Sequence, residues 1–169
     1  MRTCLLSIAW AVLAASGCAS MQATAPAATY VVVRHAEKAT DDPRDPALTE
    51  AGWQRALALA SRLTYAPVVA VYATDFRRTQ QTAAPIASTH GLAVATYDAK
   101  LPADAFAARL RRDHGRGTVV VVGHSNTVPG IVSALCACTV APIDEADYGN
   151  RYFVDIDAQG EARLRHERD

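Results

Sequence analysis

The stretch Tyr30-Val31-Val32-Val33-Arg34-His35 decides how this chain is read. Its β-branched run reads as a buried strand. An arginine and a histidine then emerge together at the carboxyl end, where open α/β sheets bind ligands. A second run, Thr118 to Val122, is followed by Gly123-His124-Ser125-Asn126. A third, Val68 to Ala73, comes after Pro67 and leads through Thr74-Asp75-Phe76-Arg77-Arg78 into a helical segment. If these strands are parallel neighbours, their ends share one crevice with two histidines and at least two arginines.

The intervening segments fit that picture. Thr49 can cap a helix to about Leu63, with Trp53, Ala56, Leu57, Ala60 and Leu63 on one apolar stripe. A second helix runs from Arg78 to about Ser88, and Pro85 within it is expected to kink or loosen one turn. Gly91 precedes a short strand, Leu92 to Thr96. Asp104 can cap the next helix, which ends at Gly115. Another helix spans roughly Thr127 to Leu135. Tyr152 to Ile156 and Ala162 to His166, joined at Gln159-Gly160, form a closing hairpin. Strands alternating with helices predict an α/β fold: one domain, a three-layer α/β/α sandwich with a mostly parallel sheet covered on both faces.

Length and charge narrow the function. The 169 residues suffice for one domain with one sizeable core. Lysines and arginines number 17 and balance 17 acidic residues, and no basic tract occurs, which argues against a nucleic-acid partner. Any positive field must be local.

The amino terminus reads as a targeting segment. Met1-Arg2 is a short basic start, and Leu5 to Ala15 is an apolar run too short to span a bilayer, which takes about 20 residues. Ala15-Ser16-Gly17-Cys18 resembles a bacterial lipoprotein signal, cleaved before a lipidated Cys18. An ordinary signal peptide cut near Ala19 or Ala23 is the alternative. The organisation expected is a signal peptide over 1–17, a lipidated Ala/Thr/Pro-rich tether over 18–29 and a folded domain over 30–169. The protein is then lipid-anchored at the bacterial cell envelope, facing the periplasm or exterior. Beyond Cys4 and Cys18, only Cys136 and Cys138 remain. One residue apart, they could bond only through a small ring, so two thiols near a helix end are favoured. No ligand set for zinc is evident.

A phosphomonoester carries a charge of about −1.5 to −2 near neutral pH and several acceptor oxygens. The planar fork of arginine suits those oxygens. A neutral imidazole can attack phosphorus, and fixed cations can stabilise the charge that develops as the phosphoryl group transfers. Neither a metal nor another cofactor is required if arginines and a second histidine supply that charge.

From Tyr30 to about Ile156 the sequence resembles the histidine phosphatase superfamily, also called phosphoglycerate-mutase-like. Val33-Arg34-His35-Ala36-Glu37 is similar to its Arg-His-Gly motif, with alanine for glycine. Leu48-Thr49-Glu50-Ala51-Gly52 is like its Leu-Thr-x-x-Gly helix start. Thr74 to Ala83 looks like its Ser-x-Leu-x-Arg-x-x-Gln-Thr-Ala segment and places the clamp arginine at Arg78. Val122 to Asn126 resembles its second-histidine segment. The resemblance implies a phosphoglycerate-mutase-like fold and a metal-independent phosphomonoesterase. His35 would be the phosphoryl acceptor, Arg34 and Arg78 phosphate clamps, and His124 a donor to the phosphoryl oxygens, with Asn126 lining the pocket. For the general acid, Asp98 is the best placed candidate, with Glu37 and Asp75 as alternatives. The short segment from Ser88 to Thr118 implies an open pocket. The expected partner is a small phosphorylated substrate or a phosphoprotein; substrate identity and oligomeric state are open.

Two other readings compete. Gly123-His124-Ser125-Asn126-Thr127 approaches a Gly-x-Ser-x-Gly elbow, with Asp147 and His166 in order for a serine esterase. That reading leaves Arg34-His35 without a role. A non-catalytic envelope protein that only binds phosphate is the other. His90, His114 and His166 read as structural, Arg77 as a solvated neighbour of the pocket, and Arg111-Arg112-Asp113 as a wet helix face.

Overall fold

The computed structural model describes residues 25–169. The expected signal segment, Cys18 and the expected tether up to residue 24 lie outside the described residues, while Ala28 and Thr29, expected in the tether, open the first strand. The elements run β1 (Ala28–Arg34), α1 (Glu50–Leu63), β2 (Val68–Ala73), α2 (Arg77–Thr89), β3 (Val94–Thr96), α3 (Ala103–Asp113), β4 (Gly117–Gly123), α4 (Val128–Cys136), β5 (Asn150–Ile156) and β6 (Ala162–Arg168).

The six strands form one sheet in the order β3-β2-β4-β1-β5-β6. The four strands from β3 to β1 are mutually parallel, and the β5–β6 hairpin adds antiparallel at the β1 edge. The sequence of β1 explains its central place. Val31 and Val33 pack on one face with Leu59, Ala60 and Leu63 of α1 and Ala83, Ile86 and Ala87 of α2. Tyr30 and Val32 pack on the other with Phe106, Ala107 and Leu110 of α3 and Ile131, Val132 and Leu135 of α4. Both faces are covered, so the strand needs apolar residues at every position rather than at alternate ones. The result is the three-layer α/β/α sandwich expected.

Four details depart from expectation. Leu57 is half exposed, and Leu59 takes the buried place on α1. Each turn of that helix buries what meets the sheet, and the ideal stripe ran slightly off that line. Trp53 packs instead on a small cluster of Ala36, Leu48 and Ala56. Asp104 lies in the first turn of α3, while Pro102 holds the cap position without a side-chain bond. A carboxylate there still meets the positive end of the helix dipole. Finally, Cys136 and Cys138 form a disulfide, with Cα atoms 5.2 Å apart, instead of two free thiols. The residue between them, Ala137, turns left-handed at φ 51° and ends α4, which swings Cys138 back beside Cys136. Thr49 caps α1 as expected, accepting from the Gly52 N–H, and α2 runs through Pro85 to Thr89.

Candidate active site

Strand register builds the site. Arg34 pairs with Gly123 across β1 and β4, and Ala73 pairs with Val122 across β2 and β4. The next residue on each strand therefore leaves the sheet at one end and nearly one level: His35, His124 and Thr74. The His35 N–H donates to the Gly123 carbonyl at 2.9 Å, fixing the two histidine-bearing segments together. The imidazoles meet edge to face with ring centroids 5.4 Å apart.

Two glycines let the loops close around them. A Cβ on Gly52 would stand 2.4 Å from the Glu37 carbonyl oxygen, and one on Gly123 would meet the Thr127 and Tyr97 hydroxyls within 3 Å. The Leu-Thr-x-x-Gly segment thus lies against the backbone just after His35. The Ala36 N–H donates to Thr82 Oγ1 at 3.0 Å, tying that backbone to α2. The Ala36 methyl packs with Leu48 and Ala56 and so does not crowd the groove.

The protonation pattern of each imidazole follows from its partners. His35 Nδ1–H donates to the Ala36 carbonyl at 2.8 Å, which leaves Nε2 with its lone pair and no partner among the described residues. His124 Nε2 lies 3.0 Å from Thr74 Oγ1, which lies 2.8 Å from Thr79 Oγ1. Thr79 spends its single hydrogen on backbone carbonyls, at 2.7 Å to Phe76. It must therefore accept from Thr74, and Thr74 must accept from His124 Nε2–H. Burial is the main reason both rings stay neutral. It pushes His35 down to about 3, helped by the charges of Arg34, His124 and Arg78 and opposed by the Ala36 bond. It pushes His124 down to about 4, helped by Arg78 and Arg34 and opposed by Glu145 and Asp75.

These rings line a groove with Lys38, Phe76, Arg78, Lys100, Ser125, Asn126 and Glu145. Arg78 stacks over the Phe76 ring, 4.4 Å from its centroid, and its buried Nε and Nη1 have no hydrogen-bond partner among the described residues. Asp45 stands 3.8 Å from Nη1, beyond hydrogen-bond reach, and donors left without a hydrogen bond beside a groove fit an oxyanion. Arg34 is placed differently. Its Nη1 takes the carbonyls of Asp144, Glu145 and Asp147, and its Nη2 lies 3.0 Å from the Glu145 carboxylate. It pins the loop before β5 and supplies charge beneath the groove. Asn126 is exposed on the groove wall.

None of the three acid candidates from the sequence lines the groove. Asp98 is exposed and accepts from the Lys100 N–H in a turn. Glu37 is held by Arg55, with contacts down to 2.8 Å. Asp75 is exposed and acts on His124 only through its charge. Sequence reasoning missed Glu145, which bonds Ser125 Oγ and Arg34 at once. No motif surrounds it, and only the fold brings the 144–148 loop to the strand ends. The serine-hydrolase constellation is not assembled. Ser125 donates to Glu145, Asp147 pairs with Arg168, and His166 bonds Asn150 and stacks on Tyr152. His90 and His114 are likewise structural, bonded to the Leu63 carbonyl and the Tyr72 hydroxyl.

A sandwich whose parallel strand ends deliver two neutral imidazoles beside unpaired arginine donors defines the class: an α/β protein of the phosphoglycerate-mutase-like fold. Residues 30–102 match the sequence model described as Histidine phosphatase superfamily (branch 1). Over those residues the chain is similar to that superfamily, and its fold is the one it shares with the solved structures that follow. Among solved structures it is similar to the protein histidine phosphatase SixA complexed with tungstate, at 20% identity and a TM-score of 0.66, covering 83% of this chain and 96% of that one. It is also similar to a mycobacterial glucosyl-3-phosphoglycerate phosphatase, at 16% identity and a TM-score of 0.64, covering 83% and 97%. A phosphoserine phosphatase from Entamoeba histolytica, solved with 3-phosphoglyceric acid, shares 14% identity with a TM-score of 0.60, covering 81% and 94%. No curated protein matches the chain by sequence.

Proposed function

We propose that the chain is a metal-independent phosphomonoesterase working through a phosphohistidine on His35. The observation that carries this reading is the His35 ring. Its Nδ1 is committed to the Ala36 carbonyl, so the lone pair on Nε2 is the one left for the groove. Nε2 attacks phosphorus and the alcohol departs. Water then attacks the phosphohistidine and restores the imidazole. Arg78 clamps the phosphoryl oxygens with its unpaired donors, Arg34 adds fixed charge from below, and His124, whose Nε2 hydrogen goes to Thr74, lines the groove as a neutral ring rather than as the donor expected from the sequence. The short segment from Ser88 to Thr118 leaves little chain for a cap over the groove, which favours hydrolysis by admitting water. A solved relative that holds tungstate, an oxyanion, is in keeping with such a cup.

The same proposal places the enzyme at the bacterial envelope, anchored by lipid on Cys18. The Met1 to Cys18 sequence supports it, as does the Cys136–Cys138 disulfide, since such bonds persist in oxidising compartments.

Phosphate release from p-nitrophenyl phosphate, measured with EDTA present, tests the chemistry. The soluble form starting at residue 25, which keeps all of β1, is expected to turn over, and His35→Ala to lose the activity entirely. Undiminished activity in His35→Ala rules out the nucleophile. Protection of the wild type by phosphate against thermal unfolding, without turnover of any phosphoester, would leave only a binding protein.

A further inference from the structure

The reaction just described needs a proton for the leaving oxygen, and the described residues offer one carboxylate in the groove. We propose that Glu145 is the proton carrier, seated on Arg34 and Ser125 when the groove is empty and released by the incoming phosphoryl group to protonate the departing alcohol. This rests on the phosphomonoesterase reading and names the acid that reading lacks.

Placement comes first. Glu145 shares the groove wall with His35, His124 and Arg78. One carboxylate oxygen accepts from Ser125 Oγ and the other from Arg34 Nη2. These are donors that a phosphoryl oxygen would seek, so the carboxylate sits where an anion is wanted. The Arg34 side chain is 1% exposed and fixed, whereas that of Glu145 is 71% exposed. The buried partner stays and the carboxylate can swing away.

Electrostatics then couples seat and proton. The groups facing Glu145 are Arg34 of β1, His35 and Lys38 after it, Arg78 of α2, Lys100 after β3 and Ser125 after β4, with Asp144, Asp147 and Tyr148 in its own loop. In the empty groove, the Ser125 bond and the charges of Arg34 and Lys38 hold its carboxyl below the usual range. It is an anion there and has no proton to give. A phosphoryl group that takes Arg34 and Ser125 removes those supports and adds a negative neighbour, and both changes raise the proton affinity. A substrate monoanion brings a proton of its own, because the second ionisation of a phosphomonoester lies near pH 6.

The steps balance. As the His35 Nε2–P bond forms and the P–O bond to the alcohol breaks, the Glu145 carboxyl hydrogen passes to the leaving oxygen. The resulting carboxylate then takes a proton from the water that attacks phosphorus, as the Nε2–P bond breaks. Alcohol leaves, Glu145 passes that last hydrogen, equivalent to the one the substrate monoanion brought, to the departing inorganic phosphate, and the neutral His35 and the Glu145 carboxylate are restored.

Leaving-group dependence tests this. Wild type, Glu145→Gln and His35→Ala are compared on p-nitrophenyl phosphate, whose phenolate departs without help, and on glycerol phosphate, whose alkoxide needs a proton. Glu145→Gln is expected to lower kcat on glycerol phosphate by about 10²- to 10⁴-fold, with a loss at least about tenfold smaller on p-nitrophenyl phosphate. Equal losses on the two substrates, or a change in KM alone, would show that Glu145 only holds its loop or competes for the cup, and would overturn the proposal. Wild type active, His35→Ala dead and Glu145→Gln indifferent to leaving group removes this inference but keeps the phosphatase. Wild type inert on both substrates removes the two together.

Discussion

Single atoms decide what the site can do. His35 carries its proton on Nδ1 because a carbonyl waits there, and that choice leaves Nε2 as the nucleophile of the proposed reaction. The Thr74–Thr79 relay does the corresponding job for His124, holding Nε2–H and leaving Nδ1 to titrate. Thr74→Val keeps the shape and removes the acceptor. A buried donor left unpaired costs about 1–3 kcal/mol, so kcat/KM is expected to fall roughly 10- to 100-fold with the fold retained. Steady-state kinetics beside circular dichroism checks this, and wild-type kcat/KM in the variant would remove the relay from the mechanism. The depressed imidazoles also set a pH dependence. With His35 at about 3, the acid loss of kcat/KM should carry no imidazole titration near 6.5. Any inflection near 6 should shift with the substrate's own second pKa when the substrate is changed.

Elements matter here through where they end. β1, β2 and β4 are parallel neighbours in register, so one step past each terminus brings His35, Thr74 and His124 together. The loop from Ala36 to Thr49 then folds back. Its Glu37 carbonyl accepts the Thr49 N–H at 2.9 Å, and Gly52 passes beneath that same oxygen. Gly52→Ala puts a methyl where backbone already stands. Because neither side is a flexible side chain, a cost of about 1–3 kcal/mol is expected from overpacking. Urea unfolding measures it. Activity should drop as well, since the displaced strand of backbone is the one that carries His35. A variant as stable as wild type would show that α1 can slide without consequence.

The molecule as a whole keeps two neutral imidazoles out of water, and stability must answer for it. A base with a lowered folded pKa favours the native state above its unfolded value. That contribution disappears as pH falls towards the folded value. For His35 and His124 the window runs from about 6.5 down to about 3 and 4. Through it, each histidine should remove about 1.4 kcal/mol of stability per pH unit. Glu37, Asp147 and Asp169, held low by Arg55, Asn150 and Arg151, add their losses only below about 4, near the ordinary carboxylate range. Unfolding free energies from pH 7 to 4.5 should therefore fall, and His35→Ala should flatten the slope. A slope unchanged in that variant would mean the ring is not buried neutral.

Much of this was legible from residue order alone. Unbroken apolar runs announced strands covered on both faces, and the residues just past them announced the chemistry. Local pattern also placed the α1 cap, the closing hairpin and the two histidine-bearing turns, because these depend on neighbours along the chain. It went astray where a third dimension intervenes. Leu59 rather than Leu57 is buried because the sheet, not the ideal helix, sets the line of contact. The Cys136–Cys138 bond depends on one left-handed residue. Arg34 is spoken for by carbonyls more than a hundred residues away. Glu145 shows the division best. The sequence by itself determined a cup with two imidazoles and an arginine, since strand ends in a parallel sheet must converge. Only the tertiary structure decided which carboxylate enters that cup, because a loop's position is set by what it packs against and leaves no periodic trace in the chain.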